Sequence, residues 1–238
     1  MVKFEHTDEF MDQINNRQEV INLADFLLCN DSFVHEFYML IRDGSSTQRF
    51  NKWKYNYLLR NGVSLKKKEQ KFLDLLEDMY AIAKEPHEEF SEQKYVGIIR
   101  GSVLEVYIRK LIEVRHKGSI YSNCQVKIGG KTVAVGEGRP QTIDIGLYDK
   151  KFTEMYECKV SEHRFEPPKL MFLQHLTEIL CKNGSLEFIV AGVSLSDQKA
   201  LDRRFINCEK VACFGRSNLK KLANFKEANE FAKKRFSA

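Results

Sequence analysis

The sequence predicts an α/β protein, with an α-helical N-terminal region followed by a mixed sheet flanked by helices. Three observations carry this expectation. Apolar residues recur at helical spacing from residue 8 to about 85. After Gly118 the pattern changes to the two-residue alternation of strands. Beyond residue 168, helical and strand patterns alternate, as in an α/β core.

In the first region, Phe10, Ile14, Ile21 and Leu28 share one helical face, and Phe33, Phe37, Leu40 and Ile41 share another. Ser64 is a candidate N-cap for a helix carrying Leu65, Phe72, Leu75, Leu76, Met79 and Tyr80, ended by Glu85-Pro86. A further helix is expected from Glu92 to His116, with Gly118 as its stop and Val96, Ile99, Val103, Tyr107, Leu111 and Val114 as its buried stripe. Residues 119–128 and 131–135 read as strands around Gly129-Gly130, and 136–140 as a loop. Ile143, Ile145 and Leu147 alternate with Asp144, Gly146 and Tyr148, which marks a strand; a second strand over 152–160 follows the turn Asp149-Lys150-Lys151. Then come a helix over 168–181, an apolar strand over 186–193, a helix from about Ser196, a short strand over 211–214 and a last helix over 217–235. The expected division is a helical region over 1–90 and an α/β domain over 91–238.

The chain has 238 residues, 43% of them hydrophobic, enough for a sizeable core. Its net charge of +5 hides strong clustering. Residues 1–41 carry two basic and eight acidic side chains, residues 42–71 nine and two, and residues 199–238 eleven and four. Basic clusters suit a polyanion, because Lys and Arg displace counterions from phosphates. The run Lys66-Lys67-Lys68 is the leading candidate for nucleic-acid contact. Aromatics interleaved with the basic residues of 42–71, Phe50, Trp53, Tyr55 and Tyr57, suit either base stacking or the buried face of a helix, the second favoured for Phe50 and Tyr55. No apolar run is long enough for a membrane span, and the N-terminus lacks the pattern of a signal peptide. The six cysteines lack zinc-finger spacing and read as reduced thiols of a cytoplasmic protein. Phosphate-loop and nucleophile-elbow motifs are absent.

The chemistry is expected on the hairpin of residues 142–160. A turn centred between Lys150 and Lys151 sets Asp144 across from Glu157. Cross-strand Cβ atoms on one face lie about 5 Å apart. Two carboxylates at that distance repel each other unless a cation neutralises them. Oxygen ligands favour a hard ion such as Mg²⁺, or Mn²⁺, which completes its shell with water and phosphate oxygens. The Cys158 carbonyl is a further candidate ligand. Lys159 falls on the face of Glu157 and is placed to stabilise charge on a phosphate. A one-residue slip would separate the acids, leaving a surface pair of Glu157 with Lys159. Two other Glu-x-Lys triplets, at Glu69 and Glu92, lie in helical surroundings with no strand aspartate upstream.

Thr142-Ile143-Asp144-Ile145-Gly146 followed by Tyr156-Glu157-Cys158-Lys159 resembles the core of the PD-(D/E)XK nuclease superfamily, the restriction-endonuclease-like fold, over roughly residues 95–195. The proline of that motif is replaced by Ile143. The resemblance implies metal-dependent phosphodiester hydrolysis of nucleic acid, DNA favoured, with Asp144 and Glu157 as metal ligands and Lys159 at the phosphate. It further implies a third acid on the preceding helix, carried over to Glu105, whose alternative is an intrahelical pair with Arg109. It also implies a Gln or basic residue on the following helix, carried over to Gln174. His163 and His175 read as surface residues. A restriction or defence role is an analogy of fold. The rival readings are a catalytically inactive nuclease-fold protein for nucleic-acid binding or assembly, and a helical module for a protein partner. A homodimer is compatible with all three.

Overall fold

A computed structural model describes residues 2–62, 65–85, 89–135, 139–149, 152–183 and 187–236. The chain divides into two compact units, Met1–Asp12 with Ile108–Ala238, and Gln13–Tyr107.

The first unit is built on a mixed sheet. Its strands are β1 (Val2–His6), β2 (Ile120–Ile128), β3 (Lys131–Thr132), β6 (Thr142–Asp149), β7 (Phe152–Lys159), β8 (Glu187–Ser194) and β9 (Ala212–Phe214). A separate two-stranded ribbon pairs β4 (Ala134–Val135) with β5 (Arg139–Pro140). The order across the sheet is β1-β2-β6-β7-β8-β9, with β3 added to β2. β1, β2, β6 and β7 run antiparallel to their neighbours, whereas β7, β8 and β9 run parallel. Parallel pairing requires a crossover, and helix α7 (Pro167–Asn183) supplies it between β7 and β8. Pro167 and Pro168 suit the first turn of a helix, where a backbone N–H is unpaired in any case. Helix α8 (Gln198–Arg204) connects β8 to β9.

Two glycines mark places where elements close on the sheet. A Cβ at Gly146 would stand 2.7 Å from the Phe4 ring, and one at Gly192 would stand 2.3 Å from Phe205. The apolar core on this side combines Met155 and Val190 with Phe172, Leu173, Leu176, Leu201 and Phe205. Glu154 and Tyr156 alternate with Met155 and so belong to the other face of β7. There Arg115 donates to both Glu154 oxygens, at 2.8 and 2.5 Å, and to the Leu222 carbonyl at 2.6 Å. The Glu154 side chain is 0% exposed, and that guanidinium is its ion-pair partner. Arg115→Met is expected to cost about 3–5 kcal/mol, because it strands a buried carboxylate. Urea denaturation measures it. A loss below about 1 kcal/mol would show that the pair is no better than an exposed one.

The second unit comprises helix α2 (Gln18–Cys29), α3 (Ser32–Asp43), α4 (Thr47–Asn61), α5 (Lys67–Ile82) and most of α6 (Glu92–Glu113), with the end of α1 (Glu9–Asn15). Ser46 caps α4 by accepting from the Arg49 N–H at 3.3 Å. Phe50 stacks on Tyr80 with ring centroids 4.1 Å apart, and Trp53 on Tyr57 at 5.0 Å. Buried Arg100 donates to the carbonyls of Ile41 and Gly44 at 2.9 and 3.0 Å, which ties α6 to the end of α3.

Several expectations are corrected. The stretch 1–90, expected to be helical, opens with strand β1, whose Val2 and Phe4 alternate with Lys3 and Glu5 and are buried. Helix α6 ends at Glu113, before His116, and Val114 is 66% exposed instead of lying on the buried stripe. The single C-terminal helix is a 3₁₀ helix (Arg216–Ala223) followed by α9 (Phe225–Phe236). Asn224 divides them, its side chain accepting from the Lys226 N–H at 3.0 Å as a helix cap does. A 3₁₀ turn (Glu162–Arg164) precedes α7. Tyr55, expected on a buried face, is 63% exposed. Helix α5 starts after Lys66; Ser64, Pro86, the loop 136–138 and the turn residues Lys150 and Lys151 lie outside the described residues. Among the described residues no helix is long and apolar enough to cross a membrane.

Candidate active site

The hairpin of β6 and β7 runs in the register Ile145↔Tyr156 to Asp149↔Phe152. Asp144 and Glu157 stand one step beyond the last recorded pair. There the Asp144 side chain takes over from the ladder: its Oδ2 accepts the Cys158 N–H at 2.6 Å. This bond holds the Asp144 carboxylate against the β7 backbone at the end of the hairpin. Asp144 is 8% exposed and Glu157 fully buried.

Both acids meet one ammonium. The Lys159 Nζ lies 3.3 Å from Asp144 Oδ2 and 2.5 Å from Glu157 Oε1. A second ammonium arrives from α7: Lys169 Nζ is 3.1 Å from Glu157 Oε2 and donates to the Thr142 carbonyl at 2.8 Å. Each Glu157 oxygen thus faces an ammonium of its own, Oε1 that of Lys159 and Oε2 that of Lys169. Burial raises the Glu157 pKa above its ordinary value, Asp144 adds to the rise, and Lys159 and Lys169 oppose it. The Cys124 thiol, on the neighbouring strand, is pushed up to about 12 by burial and by Asp144.

The other candidates are placed as follows. Cys158 contributes its N–H to Asp144, while its side chain, between Glu157 and Lys159, belongs to the opposite face. Glu105 lies on α6 in the other compact unit, 8% exposed, and accepts from Asn15 Nδ2 at 3.2 Å. Arg109, its suggested alternative partner, pairs with Glu113 at 3.5 Å. Gln174 donates to Glu178 one turn along α7, at 3.3 Å, and is not among the groups at Glu157. Lys169, five residues earlier, is the α7 residue that reaches the carboxylates. The sequence reading missed it, although a lysine just after the Pro167-Pro168 start of the helix is a visible signal. His163 pairs with Glu162 at 3.0 Å and His175 lies 3.8 Å from Glu178. Lys66, Lys67 and Lys68 are exposed at the start of α5. Phe50, Trp53 and Tyr57 are 3%, 5% and 2% exposed, so base stacking on their faces is excluded in this unit.

The two other Glu-x-Lys triplets have different work. Glu69 accepts the Lys66 N–H at 2.8 Å and Glu92 the Thr47 N–H at 2.8 Å, both at helix starts. Among the described residues no three His, Cys, Asp or Glu side chains gather as a metal cluster. Asp144 and Glu157 are thus a two-carboxylate pair, a donor set that suits Mg²⁺, which keeps most of its shell for water and phosphate.

No protein-family model matches the chain, and no curated protein matches it. Among solved structures it is similar to protein VC1899 from Vibrio cholerae, with a TM-score of 0.50 and 17% identity over 98% of this chain. It also aligns with Can2 from Sulfobacillus thermosulfidooxidans in complex with cyclic tetra-adenylate, with a TM-score of 0.48 and 13% identity over 97% of this chain. The chain spans 59% and 58% of the length of those proteins. At 17% identity the likeness to VC1899 concerns the fold alone, here a mixed sheet flanked by helices.

Proposed function

We propose that the protein is a metal-dependent nuclease that hydrolyses phosphodiester bonds, with DNA the favoured substrate. The observation that supports this best is the convergence of Asp144 and Glu157, both buried, on the single ammonium of Lys159. Two buried carboxylates on adjacent strands cost stability, and a site for a cation is the economical reason to keep them together. Asp144 and Glu157 would hold Mg²⁺ or Mn²⁺, which when bound polarises a phosphate oxygen and acidifies a water. The chain's own residues do the remainder. The Cys158 N–H fixes the Asp144 carboxylate, and Lys169 fixes Glu157 from the helix side. Lys159, partly exposed, offers positive charge to the developing phosphorane oxygens. Glu105 as third acid and a defence setting rest on the sequence resemblance alone.

A second reading has an observation of its own. Lys159 and Lys169 already balance the charges of Asp144 and Glu157. Such a network stands without any cation, which favours a non-catalytic nucleic-acid-binding role. Incubation of the purified protein with plasmid, linear DNA, single strands and RNA separates the two. The nuclease reading expects products with Mg²⁺ or Mn²⁺ and none with chelator. Binding without products under every condition supports the second.

Lys66, Lys67 and Lys68 are proposed to contact phosphates. Neutralising all three should lower the slope of log affinity against log salt by about two to three. An unchanged slope would show that they form only a solvated face.

A further inference from the structure

The helical unit contains a cleft of about 780 Å³ between α3 and α4. Met39, Arg42 and Asp43 line it from α3, and Arg49, Lys52, Trp53, Asn56, Leu59 and Arg60 from α4. Four cations face one acid. Arg42 is occupied by Asp43 at 3.0 Å, and Arg60 lies 3.7 Å from Glu36. Among the described residues neither Arg49 nor Lys52 has a carboxylate within ion-pair distance. The residues from Arg49 to Arg60 run along one face of α4 for about 16 Å, longer than one nucleotide.

Trp53 belongs to the wall of this cleft. Its ring is 5% exposed, and its faces are covered by Phe50 and Tyr57, at 6.3 and 5.0 Å between centroids. Its indole Nε1 is buried and has no acceptor among the described residues. A recess lined by two cations that lack a carboxylate partner among the described residues suits anionic oxygen. Met39 and Leu59 add an apolar wall, which an unstacked base can use and a paired one cannot.

We propose that the α3–α4 cleft binds single-stranded nucleic acid, with Arg49 and Lys52 on the phosphodiester backbone and Met39 and Leu59 against an unstacked base. The proposal concerns binding alone and stands whether or not the carboxylate site cleaves. Trp53 is the sole tryptophan of the chain, so its emission reports on this cleft and nowhere else.

The test is a titration of the full chain with an unlabelled oligothymidylate in chelator, followed by tryptophan fluorescence. The expected result is a saturable change whose apparent affinity falls with salt. Arg49→Glu with Lys52→Glu should weaken binding at least about tenfold and lower the salt slope by about 1.4. Arg49→Lys with Lys52→Arg should retain binding, which separates charge from folding. An oligonucleotide that binds without altering the Trp53 emission would overturn the assignment, as would unchanged affinity in the charge-reversed protein. Polyglutamate of equal length changing the emission at the same concentration would overturn the choice of nucleic acid.

Discussion

Glu157→Gln is expected to abolish metal-dependent cleavage while leaving the protein as stable as the parent or more so. The loss of activity should be on the order of 10²–10³-fold or more, the scale on which a preorganised electrostatic contact is removed from a transition state. The stability follows from burial. Glu157 is fully buried, and burial raises its pKa above the ordinary 4.5, so the fold disfavours its charge even with two lysines beside it. An amide removes that penalty at constant shape. The pH dependence has a definite sign. The folded chain holds the Glu157 proton more tightly than the unfolded chain does. The corresponding stability is complete below pH 4.5 and is lost as pH rises through the raised folded value. Glu157→Gln should lack this component, which urea denaturation across that range will show. If Glu157 only anchored Lys159 and Lys169, the variant would instead be clearly less stable and no less active in any assay that the parent passes.

Lys159→Ala should also cripple cleavage, by about 10²-fold or more, through loss of the positive charge at the phosphate. Metal binding should behave oppositely. An ammonium does not ligate a cation, and Lys159 stands between the two carboxylates at 3.3 and 2.5 Å. Its removal frees both acids, so Mn²⁺ affinity measured by calorimetry should be unchanged or tighter. Lys169→Ala provides the contrast. That lysine touches Glu157 and the Thr142 carbonyl, and it fastens α7 to β6. Its loss should affect stability before chemistry. Parental cleavage by Lys159→Ala would remove this residue from the proposed mechanism.

Much of the hairpin was legible in the sequence, because strand alternation and a short turn are local signals. Ile143, Ile145 and Leu147 announced the strand, and a turn after Asp149 fixed the register that pairs Ile145 with Tyr156. Lys169 was not legible in the same way. Its position depends on how α7 docks over the sheet, and helical periodicity does not say which lysine of a first turn points at a strand. Gln174 was chosen by likeness and faces Glu178 instead. β1 escaped notice because five residues with two buried apolar side chains give too short a pattern to separate from a loop. The aromatic residues near 50 were ambiguous for a physical reason. Stacked core rings and base-stacking rings have the same composition, and only burial distinguishes them. Asn224 broke the last helix, a side-chain capping effect that competes locally with helix propagation.

The central claim is that one Glu-x-Lys triplet of three carries the chemistry, and one comparison addresses it most directly: metal-dependent DNA cleavage by the parent, Glu157→Gln and Glu92→Ala at equal concentration. Glu92 has the same spelling around it but accepts the Thr47 N–H at a helix start. The account predicts products from the parent and Glu92→Ala with Mg²⁺ or Mn²⁺, and none from Glu157→Gln. Cleavage by Glu157→Gln at the parental rate, or loss of cleavage in a folded Glu92→Ala to the same extent, would contradict it.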